Sequence, residues 1–78
     1  MAKIKGWTKV ATDNKWQKDK WQGTEYFVVI EKDILDQSIY SVYYGNNFVG
    51  IKYIGRFLPS HSEGRKKAIK YMRANPNG

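Results

Sequence analysis

The fold is decided by residues 39–58, which read IYSVYYGNNFVGIKYIGRFL. Tyrosine, valine and isoleucine alternate with other residues on both sides of a Gly-Asn-Asn sequence at 45–47. Alternation with a period of two is typical of β-strands, and glycine and asparagine tolerate the positive φ angles of tight turns. The stretch therefore predicts a β-hairpin with strands at 39–44 and 49–57.

The same alternation assigns side chains to the two faces of this hairpin. Tyr40, Val42 and Tyr44 share one face of the first strand, with Tyr43 on the other. In the second strand the cations Lys52 and Arg56 point to the face opposite the one that carries the apolar side chains of the strand. We expect these two cations on the face that a packed helix leaves open, with Tyr43 beside them.

Two earlier segments extend the predicted sheet. Residues 24–32 place Tyr26, Val28 and Ile30 on one face of a strand. Residues 4–11 are compatible with a fourth strand or with an ordered arm.

A helix is predicted over residues 61–74. Ser60 and Glu63 have the spacing of a capping box, and the Asn-Pro-Asn-Gly sequence at 75–78 ends the segment. Ala68, Ile69 and Met72 form a narrow apolar stripe with helical spacing. The predicted fold class is α+β: a three- or four-stranded antiparallel sheet with one C-terminal helix packed on one face.

The chain length and the net charge limit the number of domains and the classes of partner that the sequence predicts. The 78 residues predict a single small domain, in which a basic tryptophan-containing segment (1–23) precedes the strands (24–58) and the helix (61–74). Residues 1–23 carry six lysines against two aspartates, and residues 48–78 carry seven cations against one glutamate, whereas the middle is acidic. The net charge of +7 favours anionic partners. With no cysteine, leader-like start or apolar run, we expect a cytoplasmic protein that does not bind membranes.

Catalytic and metal-binding patterns are absent from the sequence. His61 is the single histidine, so the chain offers neither a histidine pair nor a histidine-based zinc site. Glu31, Asp33 and Asp36 cluster between two predicted strands but lack the spacing of a calcium loop. We therefore expect no enzyme activity, no cofactor and no metal.

Basic side chains interleaved with aromatic rings are the strongest functional signal. Lysine and arginine neutralise phosphates, and exposed rings stack on bases. In the helix Lys66, Lys70 and Arg73 share one side. The candidate nucleic-acid-binding residues are Lys15, Trp16, Lys18, Lys20, Trp21, Tyr43, Lys52, Arg56, Lys66, Lys67, Lys70 and Arg73.

Residues 39–74 resemble two groups of DNA-binding domains built from three strands and a helix. A strand ending Lys52-Tyr53-Ile54-Gly55-Arg56-Phe57, a Pro/Ser break and a helix containing Ala68-Ile69 are similar to plant ethylene-response factors and to the arm-binding domains of phage integrases. The resemblance implies that Lys52 and Arg56 lie near DNA. The helix start at residues 64–68 also resembles that of the last helix in double-stranded-RNA-binding domains.

The sequence thus predicts a non-enzymatic nucleic-acid-binding domain of low sequence specificity, with DNA favoured over RNA. A protein-interaction module that uses an exposed aromatic face or a sheet edge is the alternative. The oligomeric state is left open.

Overall fold

The computed structural model describes residues 4–76 as a five-stranded antiparallel sheet followed by one helix. The strands are β1 (Thr8–Val10), β2 (Gln17–Gln22), β3 (Phe27–Lys32), β4 (Tyr40–Asn46) and β5 (Gly50–Leu58). They pair in chain order, so the sheet is a meander with β1 and β5 at its edges. Helix α1 spans His61–Ala74. The α+β class is confirmed, with five strands rather than three or four.

Strand β2 accounts for the difference in strand number. Its sequence, QKDKWQ, is almost wholly polar, and no apolar alternation marks it as a strand. It pairs with β3 so that Trp21 lies opposite Val28 and Asp19 opposite Ile30. Strand β1 is shorter than the predicted 4–11 because the chain turns at Gly6, whose φ is 82°, before it pairs with β2.

The helix covers the sheet face that carries Val28, Ile30 and Val42. These side chains are buried together with Ala68 and Met72 of α1 and with Trp7, Trp21 and Leu58. Gly64 allows the close approach, since a methyl group at this position would lie 3.1 Å from Cγ2 of Ile30. No helix of the described residues packs on the opposite face of the sheet, which we call the open face.

Strand β5 is irregular. Tyr40 pairs with Leu58, Val42 with Gly55, and Tyr43 with Tyr53, so β5 contains two more residues than β4 over this interval. Phe57 lies in the second irregularity with φ of 57°, the left-handed conformation that some bulges require. Between Tyr53 and Leu58, side chains of β5 therefore do not alternate strictly between the two faces of the sheet.

No helix in the described range 4–76 has the length and hydropathy needed to cross a membrane. Residues 1–3 and 77–78, which include Lys3 of the basic segment and the end of the predicted helix stop, lie outside the described residues.

Candidate nucleic-acid interface

The helix presents an open groove of about 600 Å³ on its outer side. Its lining residues recur every three or four positions, so they share one side of the helix. Four of the six are cations and none is a carboxylate. They are Ser62, Arg65, Lys66, Ile69, Lys70 and Arg73, which we call the helix groove.

Three cations of the helix form no salt bridge with another described residue. Among residues 4–76, Lys67, Lys70 and Arg73 form no salt bridge. Lys66 lies 3.6 Å from Glu63, and 73% of its side chain is exposed. An ion pair this long and this exposed contributes little to stability, so the Lys66 ammonium group can exchange Glu63 for another anion.

Lys67 lies beside the groove, on the side of the helix that faces β5. Its aliphatic stem lies against Gly55, where any side chain would collide with it. Lys52 pairs with Tyr44, whose ring stacks on Tyr71 of the helix at 4.6 Å. Lys52 is therefore on the helix-covered side of the sheet, and the expectation that it lies on the open face is wrong.

Arg56 and Lys52 point to opposite sides because of the irregularity in β5. The Arg56 guanidinium lies 4.5 Å from the ring centroid of Tyr53, which pairs with Tyr43 on the open face. Lys20 is on the open face as well, where it forms a 2.8 Å ion pair with Asp13 and lies over Phe27. The predicted cations thus occupy several surfaces, and Lys66, Lys70 and Arg73 share one side of the helix.

The helix is held at its N-terminus by a buried charge network. The Ser60 hydroxyl accepts a hydrogen bond from the backbone N–H of Glu63 and caps the helix. Asp19 of β2, with a side chain only 6% exposed, bonds Lys9 at 2.7 Å and the His61 ring. Burial alone would raise the pKa of Asp19, but the hydrogen bonds from Lys9 and His61 outweigh it and hold the pKa below its usual value.

Two of the three rings expected to stack on bases are buried. Trp21 is 5% exposed in the core, beneath the Lys9 ammonium group. Tyr43 is 8% exposed although it lies on the open face, because the rings of Phe27 and Tyr53 pack against it. Its hydroxyl donates to Glu31 at 3.2 Å, and burial, with the Glu31 charge, raises the pKa of Tyr43 to about 12. The expectation of exposed stacking rings is wrong for Trp21 and Tyr43.

Trp16 differs from the other two tryptophans. Trp7 and Trp21 belong to the core, whereas Trp16 is half-buried outside it. Its ring borders a depression of about 290 Å³, lined by Lys15, Trp16, Lys18, Lys32 and Gln37, which we call the Trp16 depression. Lys15 and Lys18 therefore lie where the sequence places them, beside a half-buried ring.

Four contributors to these surfaces, among them Gln37 of the Trp16 depression, were missed by the sequence reasoning. Arg65 and Ser62 line the helix groove. Extending the helical period of Ile69 and Arg73 backwards by four residues would have found Arg65. Lys32 reaches the Trp16 depression through the pairing of β2 with β3, and no sequence signal marked β2 as a strand.

The acidic residues between β3 and β4 stabilise their own turn. The Asp33 carboxylate accepts the N–H groups of Leu35 and Asp36, and the Asp36 carboxylate accepts the N–H and hydroxyl of Ser38. Within the described residues, no three histidine or carboxylate side chains are grouped closely enough to hold a metal ion.

Comparison of the chain with protein-family models, with curated protein sequences and with solved structures gives no match, so the family resemblance of residues 39–74 stays a prediction.

Proposed function

We propose that the protein is a non-enzymatic nucleic-acid-binding module whose helix groove docks on the phosphate backbone. The observation that carries this proposal is the groove itself, in which four cations and no carboxylate line one side of a 14-residue helix. Lys66 and Lys70 are four residues apart, a rise of about 6 Å. A row of point charges at this spacing matches a linear polyanion better than a single small anion.

The proposed binding is weakly sequence-specific and favours duplex DNA. Lysine meets phosphate as a point charge, whereas base reading requires bidentate arginine, asparagine or glutamine side chains. The groove offers two arginines but neither asparagine nor glutamine. A helix about 10–12 Å in diameter fits the roughly 12 Å major groove of B-form DNA, whereas the major groove of A-form RNA is deep and narrow. A cytoplasmic location belongs to the same proposal.

Salt dependence tests the proposal most directly. Contacts from Lys66, Lys67, Lys70 and Arg73 to about four phosphates give a slope of log affinity against log salt near −4. Fluorescence polarisation of a labelled 16-base-pair duplex, titrated with the protein between 50 and 200 mM salt, measures this slope. We expect Lys66→Gln/Lys70→Gln to weaken binding by at least tenfold at the lowest salt and to reduce the slope by about 2.

A variant on the open face controls for the loss of net charge. Lys70→Gln and Arg56→Gln each remove one charge, but Arg56 lies over Tyr53 on the other side of the sheet. We expect Lys70→Gln to reduce the slope by about 1 and Arg56→Gln to leave it unchanged. Equal effects of the two variants, or duplex binding that does not respond to salt, would contradict docking on the helix groove.

Exposed apolar residues on and beside β5 favour a second candidate, a protein-interaction module. Ile51 and Tyr53 are each 48% exposed on the open face, and Phe57 is 70% exposed. Such a patch is typical of a surface that another chain covers. Partners retained by the wild type and lost with Ile51→Ser/Phe57→Ser, without loss of duplex affinity, would support this candidate. Equal retention of all partners by both proteins would speak against it.

A further inference from the structure

The Trp16 depression lies at the end of the sheet where helix α1 begins. Trp16 is three residues from Asp19, a distance of about 10 Å along an extended chain. Asp19 bonds His61, the first residue of the helix, and Ser62 of the helix groove follows directly. The depression and the N-terminal end of the helix groove therefore lie at the same end of the sheet.

The Trp16 depression has the composition of a site for one base and its phosphate. Three of its five lining residues are lysines and none is a carboxylate. The Lys15 ammonium lies over the Trp16 ring, 5.1 Å from its centroid, so a cation that can bind phosphate lies beside the ring. The Gln37 amide has both donors and an acceptor for the edge of a base. Asp33 and Asp36, from the same turn as Gln37, do not line the depression.

The backbone that carries the ring is also held in place before any ligand arrives. The side chain of Asn14 accepts the N–H groups of Trp16 and Gln17 at 2.9 and 3.2 Å, which fixes the turn. The carbonyl oxygen of Trp16 accepts the N–H of Lys32 at 2.7 Å and ties this turn to the end of β3. Binding therefore requires little ordering of the backbone around the ring, which lowers the entropic cost of stacking.

We infer that the Trp16 depression binds an unpaired nucleotide, so that the protein prefers a junction between duplex and single strand over a blunt duplex. The inference rests on the proposed docking of duplex on the helix groove. The volume of about 290 Å³ is at the small end of ligand pockets, which suits a single base. Bases within a duplex are stacked and paired, so only an unpaired base can reach a ring in a depression.

A pair of DNA probes tests the inference separately from the proposed function. One probe is a blunt 16-base-pair duplex, and the other is the same duplex with a four-thymidine overhang. Stacking of one base on an aromatic ring predicts about five- to hundredfold tighter binding of the overhang probe. We expect Trp16→Leu to abolish this preference while the affinity for the blunt duplex is unchanged.

Two variants separate the possible outcomes. Phe48→Leu removes a highly exposed ring from the turn before β5 and should keep the preference. Equal affinity of the wild type for the two probes, or equal weakening of both by Trp16→Leu, would overturn the junction site and leave helix docking intact. An overhang preference that survives Lys66→Gln/Lys70→Gln at unchanged affinities would instead refute helix docking and keep the site. Binding of neither probe would refute both.

Intrinsic fluorescence gives an independent readout of the same site. Trp7 and Trp21 are buried, so a base stacked on Trp16 quenches only the Trp16 part of the emission. We expect an oligothymidine of eight nucleotides to quench the wild type and to leave the emission of Trp16→Leu unchanged. Equal quenching of the two proteins would contradict stacking on Trp16.

Discussion

Replacement of Asp19 by asparagine tests how the helix is held on the sheet. The carboxylate is 6% exposed and bonds Lys9 and His61, whose side chains are 45% and 41% exposed. A buried hydrogen bond to a charged group contributes about 1.5–3 kcal/mol, but half-exposed partners recover part of this energy from water. We therefore expect Asp19→Asn to lower the free energy of unfolding by about 2 kcal/mol. In a domain of this size that loss lowers the Tm by about 8–16 °C.

The pH dependence of this loss identifies its cause. The pKa of Asp19 is lowered in the folded protein, so ionised Asp19 stabilises the fold at every pH above the unfolded value of about 4. This stabilisation is lost as the pH falls through the lowered pKa, because protonation then removes the charge that Lys9 and His61 bind. The difference between wild type and Asp19→Asn should be complete at pH 7 and should shrink below pH 4.

Urea unfolding followed by tryptophan fluorescence measures both quantities, since Trp21 is buried in the same strand as Asp19. Asp13→Asn is the matched control, because Asp13 also pairs with a lysine but is 67% exposed. We expect the control to change stability by less than about 1 kcal/mol. A loss from Asp19→Asn that is no larger than the control, or that stays constant from pH 7 to pH 3, would refute the proposed role of the buried network.

Three further predictions concern the helix and the open face. Ser60→Ala removes the N-cap and should cost about 1 kcal/mol in chemical unfolding, and an unchanged midpoint would contradict the capping role. Gly64→Val forces a branched side chain against Ile30, where even a methyl group would lie at 3.1 Å, so we expect a loss of about 2–3 kcal/mol; wild-type stability would show that the helix can shift without cost. The pKa of Tyr43 is raised to about 12, so the unfolded chain ionises first and stability should fall as the pH rises from 10 to 12. Tyr43→Phe should lose less stability over that interval, and equal alkaline sensitivity by circular dichroism would exclude Tyr43 as the cause.

The C-terminal half of the fold was predictable because its signals are local. The capping box at Ser60 and Glu63 and the stop after Ala74 bound the helix, and the observed bounds agree with the prediction. The Asn46 side chain accepts the N–H groups of Phe48 and Val49, which forms the predicted hairpin turn. Each of these features depends on residues only a few positions apart.

Features that depend on distant residues were not predictable in this way. Strand β2 is stabilised by pairing with β1 and β3, and its inward charge on Asp19 is tolerated because Lys9 forms a salt bridge with it and the His61 ring forms a hydrogen bond with it. Trp21 looks exposed in a polar stretch, yet pairing opposite Val28 places it in the core. In the sequence, Lys52 and Arg56 have the spacing of neighbours on one face of a strand. The irregularity in β5 puts them on opposite faces, and such an irregularity leaves little trace in a short sequence.

The candidate site also contains residues that local sequence signals predict and residues that only distant contacts bring together. The helix cations were predictable from the 3.6-residue period, and the helix groove contains Lys66, Lys70 and Arg73 as expected. The Trp16 depression is assembled from the start of β2, the end of β3 and the turn that follows β3. Lys15, Trp16 and Lys18 were named from composition, but their separation from Trp21 required the three-dimensional structure.

The two irregularities in β5 bear on how the molecule behaves at high concentration. An edge strand nine residues long, with five aromatic or aliphatic side chains, is the kind of template on which sheets grow from one molecule to the next. A strand adding to this edge would have to copy both kinks, including the left-handed residue Phe57, and would meet the cations Lys52 and Arg56. The bent edge therefore works against fibril formation while leaving the aromatic side chains of β5 at the surface.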